Sequence, residues 1–172
     1  MDNMENENIE KALTYLKAEP NFDEKIEKVI AYLKAETYFE KDNLYRIIDV
    51  AEQKAQEINV PITICISDMS GHPRMFYHMP EANIASITLA PKKANTAIMM
   101  RKPTKDLNKD TVPNGELYQI ETMLNGEMVT FAGGIPLVCH GQVIGAVGVS
   151  GGSVEEDQLI CELSVKTFFE GE

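Results

Sequence analysis

Residues 133–157 read GGIPLVCHGQVIGAVGVSGGSVEED and decide the fold that the sequence predicts. Apolar residues alternate along two short segments on either side of His140 and Gly141, which is typical of two antiparallel strands joined by a tight turn. After the second segment, Ser153 is followed three residues later by Glu156, the capping-box pattern of a helix start. The stretch therefore predicts a β-hairpin that leads directly into a C-terminal helix.

Two further helices follow from the spacing of apolar residues. Residues 43–58 and 83–101 both carry apolar side chains at intervals of three and four, as one buried helical face requires. Pro91 has no backbone N–H and clashes with the preceding turn of a helix. We therefore expect the second helix to break near Leu89.

Strand patterns occupy much of the remaining chain. Residues 62–66 and 74–79 alternate between apolar and polar positions, and the glycine and proline between them favour a turn, so a second hairpin is expected. Residues 128–131 predict one more brief strand. Composition and periodicity by themselves thus indicate an α+β fold.

The first forty residues form a separate unit in the sequence. Residues 9–19 are repeated, with changes, at residues 26–36, and each copy has an apolar stripe at helical spacing. We expect a helical hairpin over residues 1–40 that packs on a domain of residues 41–172 or on a sister subunit, because short helices need a docking surface. A targeting or docking helix is the alternative.

Charge and hydropathy exclude several classes of partner. The chain of 172 residues has a formal net charge of -11 and no basic stripe interleaved with aromatic residues, which disfavours nucleic acid and anionic membrane surfaces. No apolar run is long enough to span a bilayer, and the N-terminus lacks the pattern of a secretory signal. The expected location is the cytoplasm, without membrane contact.

The three cysteines show no paired spacing along the sequence and are expected to be buried thiols.

Four motifs in a fixed order resemble the GlcG/HbpS family, also called DUF336 or the haem-degradation-protein-like family. They are Asp68-Met69-Ser70-Gly71 after a strand, Lys93-Ala94-Asn95-Thr96-Ala97 on a helix, GGIPLV at the start of the hairpin, and HGQVIGAVGVSGG at its end. The resemblance covers residues 43–169. It implies a profilin-like antiparallel sheet of about five strands flanked by helices.

The resemblance also implies a function. Family members bind haem, and the same domain occurs behind an adenosyltransferase of propanediol utilisation and in glycolate and glycerol operons. We therefore expect a module that binds a small molecule, haem or a corrinoid, as a homo-oligomer accessory to diol, glycolate or glycerol utilisation. Two alternatives remain: an enzyme or accessory subunit acting on a small hydroxy acid or diol, and a structural oligomer with a microcompartment-associated N-terminal helix.

The candidate iron ligand is His78, because imidazole is a common axial ligand of haem and this histidine ends a strand, where it can face a groove rimmed by Met75, Tyr77 and Met79. His72 and His140 are expected in turns. The resemblance adds Thr104, since a threonine in this neighbourhood is a proposed iron contact in secreted relatives.

The candidate anion site combines a lysine with glycine turns. Lys93 lies beside small alanines and can reach a propionate or another carboxylate, and bare glycine amides can bind the same anion. The predicted ligand-binding glycines are Gly133, Gly134, Gly151 and Gly152. No hydrolase, metalloenzyme or nucleotide-binding motif is present, so no catalytic residue is assigned.

Overall fold

The computed structural model describes residues 21–170 together with Thr14 and Lys17. A short 3-10 turn at Thr104–Asp106 lies in the long connection between the third long helix and the third strand. In chain order the elements are α1 (Phe22–Tyr38), α2 (Lys41–Glu57), β1 (Thr63–Asp68), β2 (Pro73–His78), α3 (Ala85–Met100), α4 (Asn108–Thr111), α5 (Ile120–Met123), β3 (Gly134–Cys139), β4 (Gln142–Ser150) and α6 (Val154–Phe169).

The strands form one antiparallel sheet in the order β2-β1-β4-β3. The predicted α+β fold is confirmed, with four strands in the described part of the chain where about five were expected. The strand predicted at residues 128–131 is wrong. Met128, Val129 and Thr130 are buried, but Val129 donates its backbone N–H to Thr96 Oγ1 on α3 at 2.9 Å, so a helix rather than a neighbouring strand accepts this hydrogen bond.

The hairpin β3-β4 and the start of α6 agree with their prediction. His140 and Gly141 at the tip both have positive φ, 46° and 72°, as a two-residue hairpin loop requires. At the start of α6, Ser153 Oγ accepts the backbone N–H of Glu156 at 3.3 Å, and the Glu156 carboxylate accepts that of Ser153 at 2.8 Å. The capping box is therefore complete.

One face of the sheet is covered by α3, which packs against β4, β1 and β3. The helix runs unbroken from Ala85 to Met100 with Pro91 inside it, so the break expected near Leu89 is wrong. Close packing explains the continuity: a Cβ added at Gly148 of β4 would lie only 2.0 Å from the carbonyl oxygen of Ala90. This contact fixes the helix on the sheet and offsets the one hydrogen bond that proline removes.

The opposite face carries the main hydrophobic core under α2 and α6. The end of α1 joins this core, because the ring of Tyr38 stacks on Phe168 with centroids 5.4 Å apart. The core includes Ile47, Ile62, Ile64, Leu137, Val147, Val149, Ile160 and Phe168. In residues 21–170, no helix is both long and apolar enough to cross a bilayer.

The N-terminal repeat is described only in its second copy. Residues 26–36 lie within α1 and are helical, as the pattern predicts. The first copy, residues 9–19, lies largely outside the described residues, so the helical hairpin and the division at residue 40 stay predictions. Two side-chain contacts connect α1 to the sheet and its hairpin tip: Glu36 forms an ion pair with Arg74 at 3.5 Å, and the Glu27 carboxylate lies 3.0 Å from His140 Nδ1.

Candidate functional site

The two predicted glycine turns lie next to each other, with Lys93 between them. The carbonyl oxygen of Gly133 accepts the backbone N–H of Val149 at 2.7 Å, which ties the loop before β3 to the end of β4. Lys93 Nζ donates to the carbonyl oxygen of the same Val149 at 2.9 Å. The structure thus brings together the lysine and both glycine pairs that the sequence singled out.

The ammonium group of Lys93 is paired inside the protein. Nζ lies 2.7 Å from Asp157 Oδ2, and the two side chains are 0% and 3% exposed. Nζ also stands 4.9 Å from the centre of the Phe131 ring. Burial lowers the pKa of Lys93 and raises the pKa of Asp157, because removal from water costs each charge more than their mutual attraction returns.

Three of the four glycine amides also have protein acceptors. Gly133 donates to Gln158 Oε1 at 3.1 Å, Gly134 to Thr104 Oγ1 at 3.0 Å, and Gly152 to Asp157 Oδ1 at 2.9 Å. The carboxylate of Asp157 therefore occupies the position in which the sequence led us to expect a ligand anion. Contact of a ligand with Lys93 or these glycines stays a prediction.

Close approach of the backbone explains why glycine stands in the first turn. A Cβ at Gly133, where φ is +108°, would lie 2.6 Å from the Val149 oxygen and 2.8 Å from Lys93 Nζ. At Gly134 it would lie 2.4 Å from the carbonyl oxygen of Lys93. A side chain at either position would push α3 away from the sheet or displace the ion pair.

Thr104 is fully buried beneath this turn, with 0% of its surface exposed. Its hydroxyl accepts from the Gly134 amide and donates to the Gly134 carbonyl oxygen at 3.4 Å. The hydroxyl therefore has two backbone partners in the described structure. Its predicted contact with iron stays a prediction.

His78 lies at the other end of α3, where a chain of hydroxyl groups selects the tautomer of its neutral ring. Ser86 Oγ donates to the carbonyl oxygen of Asn83 at 2.5 Å, Thr63 Oγ1 lies 2.6 Å from Ser86 Oγ, and His78 Nδ1 lies 2.6 Å from Thr63 Oγ1. A hydroxyl has a single proton, so Ser86 must accept from Thr63 and Thr63 must accept from His78. The neutral ring thus carries its proton on Nδ1, which leaves the lone pair of Nε2 available.

The surroundings of His78 differ from those expected. Tyr77 points to the opposite face of the sheet, where its hydroxyl donates to Glu52 of α2 at 3.0 Å, and Met75 packs against the main core. The expected groove of Met75, Tyr77 and Met79 around His78 is wrong, because alternate residues of a strand face opposite sides. Exposed apolar side chains lie nearby instead: Phe76, two residues before His78, and Ile84 and Ile87, which flank Ser86.

The other two histidines are in turns, as predicted. His72 follows the β1-β2 turn with its side chain 80% exposed, and His140 is paired with Glu27 at the hairpin tip. Within residues 21–170, no three His, Cys, Asp or Glu side chains are grouped as a metal site. Burial raises the pKa of the Cys65 and Cys161 thiols, and all three cysteines are buried thiols outside any disulfide, as expected.

This geometry defines a class of protein: a small α+β domain with a buried ion pair beneath its glycine turns and an imidazole held by a chain of hydroxyl groups. Comparison with known families gives a closer identification. The family described as "Haem degrading protein HbpS-like" matches residues 39–166. The chain belongs to this family, and the resemblance inferred from its four motifs is confirmed.

Individual relatives support the same assignment. The corrinoid adenosyltransferase PduO of Citrobacter freundii is 39% identical over 122 residues, which are 71% of this chain but only 36% of PduO. The chain thus spans about a third of that relative's length. The crystal structure of protein ORFY from Klebsiella pneumoniae, a DUF336 protein, superposes with a TM-score of 0.74 at 32% identity, covering 76% of this chain and 90% of that one.

A second solved structure is a complex of PduOC with haem. It superposes with a TM-score of 0.72 at 38% sequence identity and covers 74% of this chain and 93% of that chain. The relatives therefore share nearly the whole of the HbpS-like domain with this protein.

Proposed function

We propose that this protein binds haem and that His78 supplies a ligand to the iron. The observation that carries the proposal is the similarity to the PduOC–haem complex, which extends over 93% of that chain at 38% identity. Similarity at this level supports a shared class of ligand, whereas the adenosyltransferase activity in the name of PduO belongs to a protein of which this chain covers only 36%.

The geometry of His78 favours this residue as the ligand. A ligating histidine usually donates its second ring N–H to a fixed acceptor, which orients the ring and sets its tautomer. Thr63 Oγ1 is such an acceptor at 2.6 Å, and Nε2 makes no hydrogen bond with any described residue. The exposed apolar side chains of Phe76, Ile84 and Ile87, at 42%, 83% and 40% exposure, offer surface that a porphyrin face can cover.

A haemin titration of the full chain tests the proposal. The wild-type protein is expected to develop a red-shifted, saturable Soret band, and His78→Ala is expected to lose the histidine-ligated spectrum. His72→Ala and His140→Ala are matched controls, since both imidazoles lie in turns and neither has the hydroxyl chain. A His78→Ala protein with the wild-type spectrum, or a wild-type protein with no Soret change, would refute the assignment.

Thr104 is examined in the same titration. We propose that Thr104, Lys93 and the three glycines Gly133, Gly134 and Gly152 act by holding the loop before β3 in place, because each of them has a protein partner there. Thr104→Val keeps the shape of the side chain and removes the hydroxyl. An unchanged Soret band with a lower unfolding temperature supports the structural role, whereas a changed ligand field would assign an iron contact to Thr104.

A corrinoid is the second ligand to compare, because the relative that matches this chain at 39% identity is a corrinoid adenosyltransferase. Cobalamin and haemin titrations of the same preparation separate the two: preferential binding of cobalamin would replace haem as the ligand. We further propose a homo-oligomer accessory to diol or glycolate metabolism. Light scattering of the eluted protein measures the subunit number, and a monomer at all concentrations would contradict this part.

A further inference from the structure

Two adjoining cavities lie at the far end of α3 from His78. Their volumes are about 370 Å³ and about 320 Å³, and both are lined by Met69 and Ile98. The first is also lined by Arg101 and the β3-β4 hairpin, and the second by the β1-β2 turn and Asn95. Together they form one groove, the Met69 groove, in the size range of small-molecule sites.

Asn95 gives the groove an unused hydrogen-bonding group. Its Oδ1 is buried and has no hydrogen-bond partner, and it is the one such side-chain atom in the described part of the chain. The opposite wall approaches it closely, since a Cβ added at Gly71 would lie 3.1 Å from Oδ1. An unpaired buried acceptor destabilises a fold, so its presence in a cavity wall points to a partner that the protein itself does not supply.

Arg101 gives the groove a positive charge. The residue follows the last turn of α3 with φ of 53°, a left-handed conformation that is uncommon outside glycine. Its side chain is exposed, and no ion pair or hydrogen bond holds the guanidinium within residues 21–170. An exposed guanidinium without such a partner can bind a carboxylate or sulfonate through two N–H groups.

The rest of the groove is apolar and polarizable. Met69 is 54% exposed and Val138 is 47% exposed, and Ile98 is half-buried between them. Thioether and branched side chains of this kind bind flat aromatic rings well. The groove therefore combines an apolar floor, one acceptor and one cation.

We propose that the Met69 groove binds a small aromatic anion that carries an N–H or O–H donor. The ring packs on Met69 and Ile98, the donor satisfies Asn95 Oδ1, and the carboxylate or sulfonate binds Arg101. This site is separate from His78: residues 86 and 95 of α3, which mark the two ends, are about 13 Å apart along the helix axis.

Anilinonaphthalene sulfonate is a suitable probe because it has an aromatic body, an N–H donor and an anionic group. The gain in its fluorescence on titration with the full chain measures its affinity. Arg101→Gln is expected to weaken binding about tenfold or more through loss of a charged contact. Lys102→Gln removes the neighbouring exposed cation, which does not line the groove, and is expected to change affinity less than about twofold.

Asn95→Leu separates a binding role from a structural one. Leucine has a similar size but no polar atom to leave unpaired, so the variant is expected to unfold at the same or a higher denaturant concentration while binding the probe at least about fivefold more weakly. Any of three results would overturn the proposal. The first is wild-type affinity in both Arg101→Gln and Asn95→Leu, and the second is an equal loss of affinity in Arg101→Gln and Lys102→Gln. The third is no gain in fluorescence with the wild-type protein. Haemin binding by His78 is measured separately on the same variants, so either proposal can fail alone.

Discussion

Replacing Lys93 with methionine should destabilise the fold by about 3–5 kcal/mol, because it leaves the buried carboxylate of Asp157 without its cation. Nζ and Oδ2 are 2.7 Å apart, and the side chains are 0% and 3% exposed. At this distance and an effective dielectric constant of about 20, the attraction between the charges is about 6 kcal/mol. Desolvation of the two ions more than offsets this attraction, yet removing one partner still destabilises the fold because it leaves the other charge buried and unpaired.

Urea unfolding at one protein concentration measures this loss. The double variant Lys93→Met with Asp157→Asn removes both charges and keeps an oxygen for the Gly152 amide, which Asp157 Oδ1 accepts at 2.9 Å. The double variant should lose at least about 2 kcal/mol less unfolding free energy than the sum of the losses in the two single variants.

An exposed ion pair provides the control for this double-mutant cycle. Lys105 and Glu162 are 3.0 Å apart with side chains 45% and 52% exposed, so Lys105→Met should cost less than about 1 kcal/mol. The reasoning is refuted if Lys93→Met costs no more than Lys105→Met, or if the losses at Lys93 and Asp157 simply add.

Three other measurements test the structure. The pKa of Asp157 is higher in the folded than in the unfolded state, so the folded protein takes up a proton at a higher pH than the unfolded chain does. In denaturant titrations, the unfolding free energy of wild type relative to Asp157→Asn should therefore increase as pH falls towards 3.8 and decrease as pH rises. An increase with rising pH would contradict this. Gly148→Ala, whose Cβ would lie 2.0 Å from a backbone oxygen, should cost about 3 kcal/mol or more in thermal unfolding. Gly126→Ala, which meets nothing within 4 Å, should cost about 1 kcal/mol, and equal losses would argue against tight α3 packing. Because burial raises the pKa of Cys65 and Cys161, iodoacetamide should leave both unmodified until the chain unfolds, as peptide mass spectrometry would detect; labelling of the native protein would count against their burial.

Features set by neighbouring residues could be predicted from the sequence. The hairpin tip at His140 and Gly141 needs positive φ at adjacent positions, and the capping box of Ser153 and Glu156 needs only a spacing of three, so both patterns are complete within a few residues. The position of Lys93 beside both glycine turns could also be inferred, because the four motifs have a fixed order in the family.

Features set by distant residues could not be predicted in this way. Asp157 is 64 positions from Lys93, and the carboxylate that pairs with the ammonium has no local sequence signal except its place in the first turn of a helix. The continuity of α3 through Pro91 depends on its contact with Gly148 in another element. The unpaired oxygen of Asn95 is likewise visible only when the turn at Gly71 is folded against it.

The hydroxyl chain behind His78 also bears on the electronic character of the ring. It ends at the carbonyl oxygen of Asn83, so every acceptor along it is uncharged. An imidazole that donates to a neutral hydroxyl is less basic than one that donates to a carboxylate. A metal bound at Nε2 would therefore receive less electron density, which would favour its reduced state.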